Sequence, residues 1–174
     1  KKYDKVMNIL TIIPARGGSK SIPRKNIRSL NGKPLISYTI NAALATSSLT
    51  DIIVSTDDSE IAEISKKLGV KVPFIRPKEL ASDKAESAPV IEHALSFMEK
   101  VKSIKYDAIL MLQPTSPLRT TKHINDSIEL FKSRECDSVV SVTSVGANHP
   151  YRMKRLIGDQ LVNFIFSSAA FFSF

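Results

Sequence analysis

The stretch "IIPARGGSKSIPRKNI", Ile12 to Ile27, decides how this chain is read. An apolar run ends in a proline, two glycines and a serine follow, and four basic side chains crowd the next few residues. Just upstream, "NILTIIPA" has the short, β-branched character of a strand buried on both faces of a parallel sheet. A glycine-containing loop after such a strand is where open α/β sheets bind ligands. Gly17 and Gly18 let the backbone approach a ligand closely, and the successive N–H groups of Gly17, Gly18 and Ser19 can form an anion nest. Arg16, Lys20, Arg24 and Lys25 add positive charge. One unit pair at about 4 Å is worth about 4 kcal/mol at an effective dielectric near 20, before desolvation. The loop matches neither the P-loop pattern nor the dinucleotide fingerprint, because Ser-Lys-Ser follows Gly18.

The charge of the whole chain supports that reading. The 174 residues carry a net charge of +8, and residues 1–33, with nine basic and one acidic side chain, account for all of it. Residues 34–174 balance. A charge confined to one loop, with no aromatic residue between 5 and 33, suits a compact polyanion better than a nucleic-acid surface. The 43% apolar content is that of a folded domain, and no run reaches transmembrane length. A lone cysteine, Cys136, builds no disulfide within one chain and fits a reduced compartment. With no signal peptide in the opening residues, the expectation is a cytoplasmic protein without membrane or nucleic-acid partners.

Further along, strand and helix patterns alternate. Pro34 opens a helix through "LISYTINAALATS", and "DIIVST" reads as a second strand. Asp57 and Glu60 have the spacing of a capping box for "SEIAEISKKL", which Gly69 ends. "VKVPFI" reads as a third strand. Ser87 is placed to cap a helix whose stripe is Val90, Ile91, Ala94, Leu95, Met98 and Val101. "YDAILMLQ" reads as a fourth strand, a helix is expected near Lys122 to Lys132, and "DSVVSVT" reads as a fifth strand. "YRMKRLIGDQLVNFIF" has the pattern of a hairpin turning at Gly158-Asp159. The expected fold is α/β, a three-layer Rossmann-like sheet that is mostly parallel, with a C-terminal hairpin. Residues 1–174 are read as a single domain, with a nucleotide-binding part over 8–145 and a hairpin and tail over 146–174. That tail, from Gln160 on, is uncharged and holds five of the eight Phe. The "TDD" at Thr56 to Asp58 reads as a helix start rather than a metal site. His93, His123 and His149 have no ligand spacing.

Five motifs in order, "IIPARGGSKSIPRKNI", "NGKPLISYTI", "IIVSTDD", "RPKELASDKAES" and "LQPTSPLR", resemble those of the acylneuraminate cytidylyltransferases. The resemblance runs from about Ile9 to about Val142. It implies the nucleotide-diphospho-sugar transferase fold and an enzyme that joins CTP to a sialic-acid-like, nine-carbon 2-keto sugar acid, giving a CMP-sugar and pyrophosphate with Mg²⁺. Enzymes making CMP-legionaminic acid, CMP-pseudaminic acid or CMP-Kdo share much of the pattern. Residue by residue, the resemblance puts Arg16 and Lys25 on the triphosphate, and Lys20 is a third basic candidate to hold it with them as the working cations. It also puts Asn26 on the nucleotide, Arg76 and Ser87 on the cytidine, and Gln113 beside the substrates. Ser87 also fits a helix cap, and Gln113 a turn before Pro114.

The resemblance further implies a homodimer joined through the segment after the fifth strand, the hairpin here. It puts the Mg²⁺ ligands in a later aspartate-rich segment, so no metal ligand is assigned in this chain and truncation is expected. Two rival classes stay open: a fragment that captures CTP without turnover, and a nucleic-acid-binding module.

Overall fold

The apolar run expected as the first strand forms β1, Ile9–Pro14, and it is the centre of the sheet. The structure is a computed structural model that describes residues 7–19, 21–82, 85–145 and 153–163. Lys20, His149, the N-terminal lysines 1, 2 and 5 and the Phe-rich end, 164–174, lie outside the described residues. The chain forms two compact units, Lys1–Cys136 and Asp137–Phe174.

In the first unit, β1 is followed by a small hairpin, β2 (Ser29–Leu30) and β3 (Lys33–Pro34). Asn31 and Gly32 link them with φ of 48° and 77°. Two positive angles in a two-residue loop make a type I′ turn, which Asn-Gly favours. The helix α1, Leu35–Leu44, follows directly, with Pro34 at its cap position. Then come β4 (Asp51–Ser55), α2 (Ser59–Lys67), α3 (Ser87–Lys102), β5 (Ala108–Met111) and α4 (Thr121–Ser133). Strands β4, β1 and β5 pair in that order, all parallel, with Ile12 opposite both Ile53 and Met111.

The period-2 alternation of β1 separates two cores. Ile9 and Ile13 pack with Ile36 and Ile40 of α1, Ile61 of α2, and Ile124 and Ile128 of α4. Leu10 and Ile12 face the other way, with Ile53, onto Ala94 and Met98 of α3. The sheet is therefore the middle of three layers, as expected. Of the stripe read on α3, Val90, Ala94 and Met98 are buried, while Val101 is exposed.

Four local expectations are corrected. The cap of α2 is Asp58, which accepts from the Ile61 N–H; Asp57 and Glu60 are drawn to tertiary partners described below. The cap position of α3 is Glu86, without a side-chain bond, and Ser87 is its first residue. Pro89 then falls in the first turn, where it has no N–H for a cap to accept. "VKVPFI" forms only two isolated bridges, Ile53 to Lys71 and Thr56 to Ile75. Pro73 between them cannot donate to a ladder. "DSVVSVT" forms no strand: residues 137–145 have no regular secondary structure and no ladder partner among the described residues.

In the second unit the expected hairpin is present, β6 (Lys154–Ile157) and β7 (Gln160–Asn163), antiparallel. Gly158 has φ of 58° at the first turn position, where the type II′ turn calls for glycine.

Candidate functional site

Strands β1 and β5 end at their carboxyl side beside a cavity of about 360 Å³. Arg16, Gly18 and Ser19 line it from the loop after β1, and Lys25 and Asn26 from the 3₁₀ turn Lys25–Ile27. Arg76 enters from the segment after α2, Ser87 from the first turn of α3, and Gln113 from the end of β5. All the candidate residues that the structure describes therefore meet at one cavity, except Gly17. Lys20 is not among the described residues.

Gly17 has another task. Its N–H donates to Asp57 Oδ1 at 2.9 Å, so this amide is turned to α2 rather than to the cavity. A Cβ on Gly17 would lie 2.5 Å from Asp58 Oδ2 and 2.9 Å from Asp58 Cβ. Glycine is needed here for close approach, since its φ is not in the positive range. Asn26 is buried, and its amide donates to the Arg16 carbonyl at 2.9 Å, tying the 3₁₀ turn to the end of β1. Arg24 precedes that turn in a left-handed conformation, φ 56° and ψ 30°, and its guanidinium grips Asp58 and Glu60.

Arg76 is 5% exposed. Its backbone N–H meets Thr56 O at 2.7 Å, Nε meets Ser55 Oγ at 3.0 Å, and its two terminal nitrogens reach the carbonyls of Ser55 and Leu80. Burial pulls its pKa below the usual value; Asp57 opposes that pull and Arg16 adds to it. A guanidinium stays charged through any such shift. It therefore brings fixed positive charge to the cavity wall while bracing two segments. Gln113 is exposed, with its carbonyl held by Arg119 Nη1 at 3.2 Å and its Oε1 accepting weakly from Thr115 at 3.4 Å. Ser87 is exposed at the cavity rim. Apolar walls come from Ile12, Val90, Ile91 and Met111. The mix of a few convergent polar groups on an apolar lining is that of a small-molecule site.

Sequence reasoning did not find Asp57 as the anchor of Gly17, nor Glu86 and Thr115 in the lining. "TDD" carried the signal for the first, but which of two adjacent aspartates caps the helix is decided by the loop packed against them. His93 stacks edge-on to Phe74 and His123 completes a capping box with Thr120, so both have structural roles.

A family model described as Cytidylyltransferase matches residues 10–158. Over 141 residues the chain is 43% identical to the CMP-N,N'-diacetyllegionaminic acid synthase of Legionella pneumophila, a match covering 80% of this chain and 59% of that protein. It is 41% identical over 152 residues to the N-acylneuraminate cytidylyltransferase of Escherichia coli, covering 87% of this chain and 34% of that one. Among solved structures it is similar in fold to a CMP:2-keto-3-deoxy-manno-octonic acid synthetase complexed with CTP. The TM-score is 0.59 at 22% identity, over 72% of this chain and 48% of that chain. The chain thus spans a little over half the length of the first relative and about a third of the second.

Proposed function

The chain belongs to the cytidylyltransferase family, and on that premise we propose that it binds CTP in the cavity after β1 and serves cytidylyl transfer to a nine-carbon 2-keto sugar acid. The observation that carries this reading is the meeting of Arg16, Ser19, Lys25, Asn26, Arg76, Ser87 and Gln113, drawn from separate segments, around one cavity. The names of the relatives support the sugar class, which takes in the legionaminic and neuraminic acids.

In the proposed reaction the anomeric hydroxyl oxygen forms a bond to the α-phosphorus. The bond from that phosphorus to the bridging oxygen breaks, pyrophosphate leaves with the electron pair, and the hydroxyl proton passes to solvent. The chain contributes position and charge. Arg16 and Lys25 face the triphosphate, Asn26 the nucleotide, Arg76 and Ser87 the base, and Gln113 the reacting end; Lys20 is proposed as a third cation for the triphosphate from its place in the sequence. Mg²⁺, which the resemblance implies, finds no fit among the described residues. No group of three or more His, Cys, Asp or Glu side chains comes together there, and Asp57 is already engaged by Gly17. No step is assigned to a metal on these residues.

The proposal includes a homodimer that buries the hairpin, where Leu156 and Leu161 are about 70% exposed. Sedimentation at micromolar concentration checks that part, and a monomer rejects it. It also includes a cytoplasmic setting; no helix among the described residues is long and apolar enough to cross a membrane.

Titration calorimetry tests the nucleotide site. Arg16→Ala and Lys25→Ala are each expected to weaken CTP binding by about 1–3 kcal/mol, the scale of a lost charged hydrogen bond, and CMP binding by less. Equal losses for CTP and CMP would remove both residues from the triphosphate. Pyrophosphate release with a panel of nine-carbon acids then names the sugar.

A further inference from the structure

Arg24 does not line the cavity, yet its guanidinium meets two carboxylates. One terminal nitrogen donates to Asp58 Oδ2. The other donates to Asp58 Oδ1 at 3.1 Å and to Glu60 Oε2. These partners stand at the first turn of α2, more than thirty residues away in sequence. The next two residues, Lys25 and Asn26, do line the cavity. The amides of Ile27 and Arg28 both return to the Arg24 carbonyl at 3.0 Å, so the 3₁₀ turn is built on Arg24. The other end of the loop is held to the same helix start, through Gly17 on Asp57.

We propose that Arg24 is a positioning residue: its grip on Asp58 and Glu60 clasps the loop to the start of α2 and so presents Lys25 and Asn26 to the nucleotide. This rests on the function proposed above. The left-handed backbone of Arg24 supports it. A non-glycine residue there costs about 1–2 kcal/mol, and a side chain fixed by two carboxylates helps to hold it. The electrostatics agree in direction: the Asp58 hydrogen bond raises the Arg24 pKa above its usual value, and Arg24 in turn holds the Asp58 carboxyl below its own. Arg24 is 43% exposed, so the clasp is of the modest strength of a partly solvated pair. That strength suits the placing of a loop more than the stabilising of a fold.

The test uses three proteins beside the unaltered chain: Arg24→Ala, the pair Asp58→Asn with Glu60→Gln, and the three changes combined. Alanine keeps the left-handed cost, so the first variant removes only the side chain. Asparagine still caps α2. Calorimetry is expected to show CTP affinity about five-fold lower for Arg24→Ala and about three-fold lower for the carboxylate pair. The combined variant should be no weaker than Arg24→Ala alone, and CMP should lose less than CTP throughout. The fall in the carboxylate variant runs against its gain in local positive charge, so long-range attraction cannot produce it. Unchanged or tighter CTP binding in that variant overturns the proposal and makes Arg24 a direct phosphate contact or a bystander. Equal losses for CTP and CMP, with a lowered melting temperature, also overturn it in favour of a purely structural role.

Hydrogen exchange on the nucleotide-free proteins is the second readout. Faster exchange at Gly17, Ile27 and Arg28 in the carboxylate variant upholds the clasp, and unchanged exchange rejects it. If the unaltered chain takes up no CTP, the proposed function fails, and exchange alone decides whether Arg24 holds the turn.

Discussion

Replacing Gly17 by alanine tests the packing that shapes the loop. The new Cβ would sit 2.5 Å from Asp58 Oδ2 and 2.9 Å from Asp58 Cβ, so turning the Asp58 side chain relieves only the first clash. Asp58 must move, and its bond to the Ile61 N–H at 3.0 Å and its pairing with Arg24 are then lost. A lost cap costs about 1 kcal/mol. A lost pair at this exposure costs up to about 1 kcal/mol more. The sum is about 2 kcal/mol, which lowers the melting temperature of a chain this size by about 4–8 °C. Urea denaturation of Gly17→Ala in two backgrounds isolates the cause. With Asp58→Gly the obstructing side chain is gone, while glycine still serves as a cap at a cost of a few tenths of a kcal/mol. In that background Gly17→Ala is expected to be neutral, or stabilising by up to about 1 kcal/mol through the unfolded chain. Equal destabilisation in both backgrounds would refute the contact with Asp58 as the reason for glycine.

At the opposite end of the sheet, Asp51 accepts from Tyr106 at 2.8 Å and Lys102 at 2.9 Å. Burial raises its pKa, but these two partners outweigh that and leave it below the ordinary value. A lowered carboxyl contributes stability that is full above its unfolded pKa and lost as pH falls through the folded one. Asp51→Asn should therefore cost about 1–2 kcal/mol at neutral pH and flatten the loss of stability below about pH 4, as followed by denaturation across pH. Gly32→Ala, with φ of 77° and open space around it, should cost about 1–2 kcal/mol from backbone strain alone; no loss would remove the I′ turn. The Arg76 and Ser87 edge of the cavity should favour CTP over UTP, since a site built for one base edge leaves groups unpaired with the other; competition calorimetry showing similar affinities would reject that placement.

What was legible in the sequence follows from what is local. β1 and β4 are short, mostly apolar, β-branched runs, and α3 carries a helical stripe, so one-dimensional patterns were enough to give the layered sheet. The cavity was legible because Arg16, Lys25 and Asn26 lie on one loop after β1 and the resemblance supplied Arg76, Ser87 and Gln113. The 3₁₀ turn at Lys25–Ile27 and the choice between Asp57 and Asp58 were not legible, because both depend on the loop packing against α2. The Asn31-Gly32 turn, by contrast, is local and is carried by its own dipeptide. "DSVVSVT" shows the limit of alternation as a signal: a strand exists only where another strand offers its edge.

The cavity has no floor separate from the core. Val90 and Arg76 are both almost wholly buried, yet both line it, and Val90 stands on the helix that covers one face of the sheet. On the proposed function, reshaping the pocket for another nucleotide at Val90 or Arg76 would therefore cut into the packing that keeps the layers together. Substitutions that enlarge it will tend to lower the melting point, and selection for a new base will tend to draw in second changes along α3 that restore it. On that function, specificity and stability would be inherited together at Val90, and variation in either is expected to leave its mark beside it along α3.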